Sequence, residues 1–334
     1  MFEQIVSLEN LLLSWREFRR GKRSKPDVQL FEFNLEDNLW QIHRELTADL
    51  YVNDPYTSFY IADPKPRHIH KASVRDRVVH QAIFRVLYSV FDPSFIHDSY
   101  SCRVDKGTHR AVLRLNHFLN QVSYNNTQLT YALKCDIKKF FDSIDQTTLL
   151  KLLKKKIGDA RLFSLVNKII SSFEVDSGKG LPLGNVTSQL FSNVYLNELD
   201  QFVKHKFKIK HYLRYCDDFV IVSSSQEYLG SLIPKLAGFL GEKLQLKLHE
   251  RKIIIRKFNQ GVDFLGYVVL PHYRVLRTKT KRRMIRKLQS CMIEFKTGRT
   301  TAVSVEQSFQ SYLGILKHCQ GYKIEQKILE LGKL

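Results

Sequence analysis

Tyr215-Cys216-Asp217-Asp218 sets two adjacent carboxylates inside an otherwise apolar stretch, IKHYLRYCDDFVIVSS at 209–224. Adjacent acids in so hydrophobic a setting need compensation. Along a strand they would face opposite sides. At a tight hairpin turn both can approach one sheet edge. Divalent cations are the natural compensation, because Mg²⁺ favours carboxylate oxygens. An ordinary polar hairpin turn would also use Asp here. Asp136 ends a second apolar run, in LKCDIKKFFDSID (133–145). As a third acid from a neighbouring strand it would complete a two-metal cage, whose ions lie about 3.5–4 Å apart and clamp the attacking and leaving oxygens. A strand-end Asp closing a turn is the plainer alternative. Asp142 and Asp145 fit loop and helix-start roles better.

The charge balance narrows the substrate. Lys and Arg number 53 against 33 Asp and Glu, a net charge of +20, which favours a polyanion, nucleic acid before membrane. The cations cluster. Residues 16–25 (REFRRGKRSK) hold six basics and one acid, and 274–287 (RVLRTKTKRRMIRK) hold eight basics and no acid. With a Gly-rich loop at 178–184, three strand-end acids point to phosphoryl transfer on nucleic acid. GxxxxGK[ST] is absent, which disfavours a P-loop NTPase. Five cysteines form no metal spacing, and their odd number fits reduced thiols. His68 and His70 are a tight pair, but without Cys or acid partners they make a poor zinc site. No apolar run approaches the roughly 18 residues of a membrane helix. The start, MFEQIVSLEN, is unlike a secretory signal. A cytosolic location is expected.

The elements that must position these residues follow from periodicity. Helices are expected over 5–20, 34–50 (N-capped by Asn34), 73–90, 109–121, 145–157 (capped by Asp145), 186–206 and 226–243, with a basic helical tail from 278. Strands are expected over 57–62, 128–137, either side of the acidic pair in 209–224, near 245–256 and over 262–269. Without regular βαβ alternation, the fold class is α+β.

Six blocks in order resemble the reverse transcriptases, RNA-directed DNA polymerases. They are PKPRHIHKASVRDRVVHQAI (64–83), YSCRVDKGTHRAV (100–112), LKCDIKKFFDSID (133–145), GLPLGNVTSQLFSNVYLNELD (180–200), LRYCDDFVIV (213–222) and VDFLGY (262–267). The resemblance spans about residues 5–320 and implies a right-hand polymerase. Its parts would be an N-terminal extension and fingers (1–130), a palm whose antiparallel sheet carries the Asp triad (131–270, with a fingers segment near 150–195), and a short basic helical thumb (271–334). It implies that Asp136, Asp217 and Asp218, with the Ile137 carbonyl, bind two Mg²⁺ ions, Mn²⁺ being the alternative. Lys65 and Arg67 would hold the triphosphate, Arg through its fixed fork of donors. Phe141 would exclude a 2′-OH, Gly184 would let backbone approach the nucleotide, and Lys252 is a candidate general acid. Arg274, Arg277, Lys279, Lys281, Arg282 and Arg283 would grip the duplex backbone.

Most of the family has Gln where this chain has Leu183, and Ser-Pro where it has Ser188-Gln189. Leu183 to Gln189, together with LENLLLSWREF and RGKRSK near the start, resembles the diversity-generating retroelement enzymes, which copy a template RNA with errors at adenines. Leu183, Gly184 and Gln189 would then line the nucleotide pocket. Leu cannot donate the hydrogen bond that Gln makes, and an apolar contact discriminates by only about 1–3 kcal/mol. Template RNA, primer or cDNA, dNTPs and a small basic helical accessory protein are the implied partners. A stand-alone phage-defence reverse transcriptase with a non-coding RNA is the rival, and a non-catalytic RNA-binding scaffold a further one. The tail is too short for thumb, maturase and endonuclease together, so a multifunctional intron-encoded protein is not expected.

Overall fold

The acidic segments sit in a four-stranded antiparallel sheet that is covered on both faces. In the computed structural model, which describes residues 1–62 and 66–332, the chain begins with four helices: α1 (Phe2–Val6), α2 (Leu8–Phe18), α3 (Pro26–Phe33) and α4 (Leu35–Thr47). The single helix expected over 5–20 is broken at Ser7. Its hydroxyl accepts from the Asn10 amide and starts α2 afresh, a local bond that competes with helix continuation. α3 escaped the periodicity reading, although Pro26 at its first position is a start signal. Asn34 sits between α3 and α4 without a side-chain cap bond.

β1 (Thr57–Ile61) and β2 (Arg67–Lys71) form a largely exposed hairpin with Phe59 opposite Ile69. β2 was not expected. α5 (Val74–Phe91) buries Val78, Val79, Ala82 and Ile83 in the core that also takes Ile5, Leu11, Trp15 and Ile42. α6 (Thr108–Val122) then leads to β3 (Tyr131–Asp136). Next come α7 (Phe140–Ser143), α8 (Gln146–Lys154) and α9 (Ala160–Ser171). Asp145 caps α8 as expected, accepting from the Thr148 amide at 2.7 Å. Asp159 caps α9, an element the sequence reading missed.

α10 (Val186–Gln201) runs into a π turn at Phe202–Lys206, so the helix expected to 206 changes geometry at 202. β4 (Tyr212–Tyr215), β5 (Asp218–Ser223), α11 (Gln226–Leu244) and β6 (Ile254–Lys257) follow, and the sheet order is β4-β5-β3-β6. The strand expected near 245–256 is confined to β6. Upstream, only a bridge between Ile137 and Leu248 joins that segment to the end of β3. The stretch 262–269 is a hairpin of β7 (Val262–Phe264) and β8 (Tyr267–Val269), turned by Leu265-Gly266, both at positive φ. Two central residues at positive φ suit the tightest hairpin turns. β9 (Arg274–Leu276) pairs with β8 from beyond residue 270. α12 (Thr278–Lys296), α13 (Ala302–Leu316) and α14 (Tyr322–Gly332) end the chain.

Two cores explain the continuous apolar runs of the sheet. Leu133, Cys135, Tyr212, Phe219 and Ile221 face the core shared with α5 and α8–α11. Ala132, Leu213, Val220 and Val222 face the core shared with α6, β7–β9 and the tail helices. Strands buried on both faces lose the polar alternation of a half-exposed sheet.

Candidate active site

Asp217 and Cys216 are the two loop residues between β4 and β5, with Tyr215 paired to Asp218. Cys216 adopts φ 55°, the left-handed region that a two-residue hairpin turn demands. On the next strand Asp136 lies in register opposite Asp218, and the Ile137 amide donates to the Asp217 carbonyl at 3.3 Å. Three carboxylates therefore gather at one end of the sheet. Asp136 is buried, and Asp217 and Asp218 are partly so. Burial raises the Asp217 carboxyl above its ordinary range, and Asp136 adds to the rise. Burial also pushes Asp218 up to about 6, opposed by Lys134.

Lysines supply the positive charge beside these acids. Lys252 Nζ lies 2.6 Å from Asp136 Oδ1, and Lys134 Nζ lies 3.8 Å from Asp218 Oδ1. Among the described residues no closed set of three metal-ligating side chains is formed. The donor chemistry nevertheless fits a hard divalent ion, since crowded carboxylates whose ionisation is disfavoured by burial gain most from one.

Asp136 and Asp218 line a cleft of about 650 Å³ together with Arg67, Thr108, Lys134, Lys252, Asp263, Arg277, Lys279 and Arg283. The basic run is thus divided. Arg277, Lys279 and Arg283 face this cleft, Arg277 also pairing with Asp263. Arg274 lies on β9, Lys281 lines a separate cavity beside α14, and Arg282 is exposed.

A second cavity, of about 350 Å³, is lined by Arg67, His68, His70, Asp142, Phe173, Leu181 and Leu183. Arg67 borders both spaces and joins them. Phe141 is half-buried on α7 against Phe140, with ring centroids 5.3 Å apart. Its carbonyl accepts from the Leu181 amide, which ties α7 to the loop carrying Leu183. Gly184 has φ +113°, and a side-chain carbon there would touch Ile69 of β2 at 3.6 Å. Gln189 lies half-buried in the first turns of α10 and lines neither space. Lys65 falls outside the described residues. His68 and His70 belong to an aromatic ladder running Tyr60, His68, His70, Phe173 at 4.3–4.6 Å between centroids.

Four residues here were not singled out from the sequence. Lys134 could have been, because it stands two residues before Asp136 on one strand and so shares its face. Thr108, whose hydroxyl donates to the Tyr215 hydroxyl at 3.2 Å, and Asp263 gave no local signal. Arg214, inside the apolar run, gave one. It is fully buried, and its guanidinium donates to Asp200, Asn193, Ser99 and the carbonyl of Cys216 in the acidic turn. No helix among the described residues is long and apolar enough to cross a membrane.

Comparison with known proteins agrees with this geometry. The chain is 26% identical to protein YkfC of Escherichia coli over 278 residues, covering 71% of this chain and 72% of that protein. It is 25% identical to the group II intron-encoded protein LtrA of Lactococcus lactis over 319 residues, covering 74% of this chain and 51% of LtrA, so it spans about half of LtrA's length. Apo telomerase from Candida tropicalis, truncated from its C-terminal domain, shares the fold with a TM-score of 0.51 at 14% identity, over 70% of this chain and 59% of that one. Residues 62–269 match the family described as reverse transcriptase (RNA-dependent DNA polymerase). The chain belongs to the reverse transcriptase family of RNA-dependent DNA polymerases.

Proposed function

We propose that this chain copies a template RNA into cDNA at the Asp136, Asp217 and Asp218 cluster. The observation that carries the reading is the register of Asp136 opposite Asp218, with Asp217 held on the adjoining turn, at the edge of a cleft rich in Lys and Arg. The three carboxylates and the Ile137 carbonyl would hold two Mg²⁺ ions. When bound, these lower the pKa of the primer 3′-OH and offset the triphosphate charge. Arg67, which borders the carboxylate cleft and the Leu183 cavity, binds the β- and γ-phosphates with Lys65. Lys252 Nζ holds the proton that the leaving pyrophosphate takes up. Phe141 closes the sugar side against a 2′-OH, while Leu183, Gly184 and Gln189 shape the nucleotide pocket. Arg277, Lys279 and Arg283 contact the duplex backbone from the cleft side, with Arg274, Lys281 and Arg282 extending the basic surface. Residues 1–130 with a segment near 150–195 serve as fingers, 131–270 as palm and 271–334 as thumb.

Within the family the proposed role is error-prone copying at template adenines in a diversity-generating retroelement, supported by the apolar Leu183 and the Leu183–Gln189 segment. A structured template RNA and a small basic helical accessory protein complete this reading. Primer extension on a primed RNA template with Mg²⁺ and dNTPs, followed by product sequencing, tests it. Errors concentrated opposite adenine are expected. Faithful copying would reassign the enzyme to a defence role. Asp136→Asn or Asp217→Asn should abolish incorporation while RNA binding persists. Incorporation by either variant would overturn the assignment of the cluster.

A further inference from the structure

Among the described residues α10 is the one helix that ends in a π turn. After the π turn at Phe202–Lys206 the chain hooks back on itself. The Phe207 amide donates to the Phe202 carbonyl at 3.3 Å and the Ile209 amide to the Val203 carbonyl at 3.2 Å. Lys204 Nζ donates to the Lys210 carbonyl at 2.7 Å. Lys208 takes the left-handed conformation at φ 53°. π turns and left-handed non-glycine residues persist only where packing holds them, and both are enriched at functional sites.

Aromatic and aliphatic packing holds the hook. Phe202 stacks on Phe239 of α11 at 4.0 Å, Phe207 meets Phe202 edge-on at 4.7 Å, and Val203 and Ile209 are buried. The apolar residues of FVKHKFKIK thus anchor the hook, while His205, Lys206, Lys208 and Lys210 are exposed. Rigid presentation of cations lowers the entropy lost when a ligand orders them.

These charges are not neutralised locally. Among the described residues no salt bridge engages Lys206, Lys208 or Lys210. The acid beside the hook, Asp98, is shared by Arg114 at 2.8 Å and Lys204 at 3.6 Å, and Asp200 is committed to Arg214. Burial, then Lys204, Lys210, Arg114 and His117, hold neighbouring His211 below the ordinary histidine range, so the positive potential extends to α6.

The hook lies at the Tyr212 end of β4, and the Asp217 turn lies beyond Tyr215 at its other end. Strand rise of about 3.3 Å per residue puts the two roughly 10 Å or more apart, so the surface is separate from the carboxylate cleft. It exposes no large apolar side chain. That argues against a membrane surface, which takes an inserted apolar face, and against a protein partner, which takes buried aromatic anchors. Unpaired lysines on a rigid support suit phosphates read without sequence preference.

We propose that the 204–210 hook is a second RNA-docking surface, which holds the phosphate backbone of a helical part of the template RNA outside the stretch being copied. The identity of that RNA as template rests on the function proposed above; the docking itself does not.

The test is a Lys206→Gln, Lys208→Gln, Lys210→Gln variant of the full chain. Binding of a labelled, unprimed RNA stem-loop is measured against salt, and extension is measured on a short primed template. Affinity for the stem-loop should fall roughly tenfold or more, and the salt slope should shrink by about 2–3. Extension of the short template should stay within about twofold. The matching Lys→Arg triple should bind as the parent does. If the triple variant fails to fold, Lys206→Gln alone should reduce the slope by about 1. An unchanged slope and affinity would overturn the proposal, as would a parallel loss of extension. Equal displacement of the RNA by polyglutamate or by phosphatidylglycerol vesicles would overturn the RNA assignment. A parent protein that incorporates no dNTP but shows the slope change would sink the polymerase reading and leave the docking surface standing.

Discussion

Arg214 and Asp200 form a two-point ion pair with neither side chain exposed: Nε to Oδ1 at 2.8 Å and Nη2 to Oδ2 at 2.6 Å. Asp200 also accepts from the Tyr212 hydroxyl at 2.7 Å. The remaining guanidinium donors reach Asn193, Ser99 and the Cys216 carbonyl. The acidic turn is therefore fixed from beneath by α10, through one planar cation on β4. Lys has no fork of donors and cannot reproduce this.

Breaking that pair from one side strands a buried charge. Asp200→Ala should cost about 3–5 kcal/mol of folding stability, measured by urea denaturation. Arg214→Lys should fold, yet lower kcat for incorporation about tenfold or more with little change in nucleotide KM, because a small misplacement of reacting groups is costly. A parallel change in both constants would show that the pair supports the fold alone.

Lys252 makes the closest contact to Asp136. Lys252→Met should reduce kcat by about 10²–10⁴-fold if the ammonium delivers a proton, with RNA affinity nearly unchanged. Single-turnover incorporation is the measurement. A loss that excess Mg²⁺ fully restores would instead make Lys252 a counter-ion for the carboxylate.

Phe141 and Leu183 test the nucleotide pocket separately. Phe141→Ala should admit ribonucleotides, read as a rise of about tenfold or more in relative rNTP incorporation. Leu183→Gln should lower misincorporation opposite adenine by roughly 5- to 150-fold, the range of about 1–3 kcal/mol for a lost or gained pocket contact. Sequencing of extension products reads both, and an unchanged error spectrum would remove Leu183 from the specificity argument.

His80 sets a pH limit on the helical core under the hairpin. It is buried, its Nδ1 has no partner among the described residues, and burial holds its pKa down to about 4. The folded value is below the unfolded one, so stability is full above about 6.5 and is lost as pH falls toward 4. Between pH 7.5 and 4.5 the loss should be about 2–3 kcal/mol. Urea midpoints at the two pH values should converge in His80→Leu relative to the parent.

Much of the fold was legible because periodicity and local bonds act within a few residues. The runs around Asp136 and the Tyr215–Asp218 segment read as buried strands, and Asp145 read as a cap, since each signal is carried by adjacent side chains. α3 was missed where apolar spacing was irregular and β2 where pairing alone made the strand, whereas Leu162, Leu165, Val166, Ile169 and Ile170 give α9 a regular helical stripe that was legible and went unread. The 262–269 segment reads as one strand until Leu265 and Gly266 reverse it.

The sequence by itself determined the candidate residues and the family signal: three acids on apolar strands, an excess of cations, and an ordered series of family blocks. Only the tertiary structure decided how they meet. Register across β3 and β5, 82 residues apart in Asp136 and Asp218, sets the acids together. Packing against α10 then buried Arg214 beneath the turn. Packing of α12 on α13 and α14 turned Arg277, Lys279 and Arg283 toward the cleft and left Arg282 in solvent. Local propensity fixes a side chain's type and face, whereas long-range pairing and burial fix its neighbours, and no short window of sequence contains them.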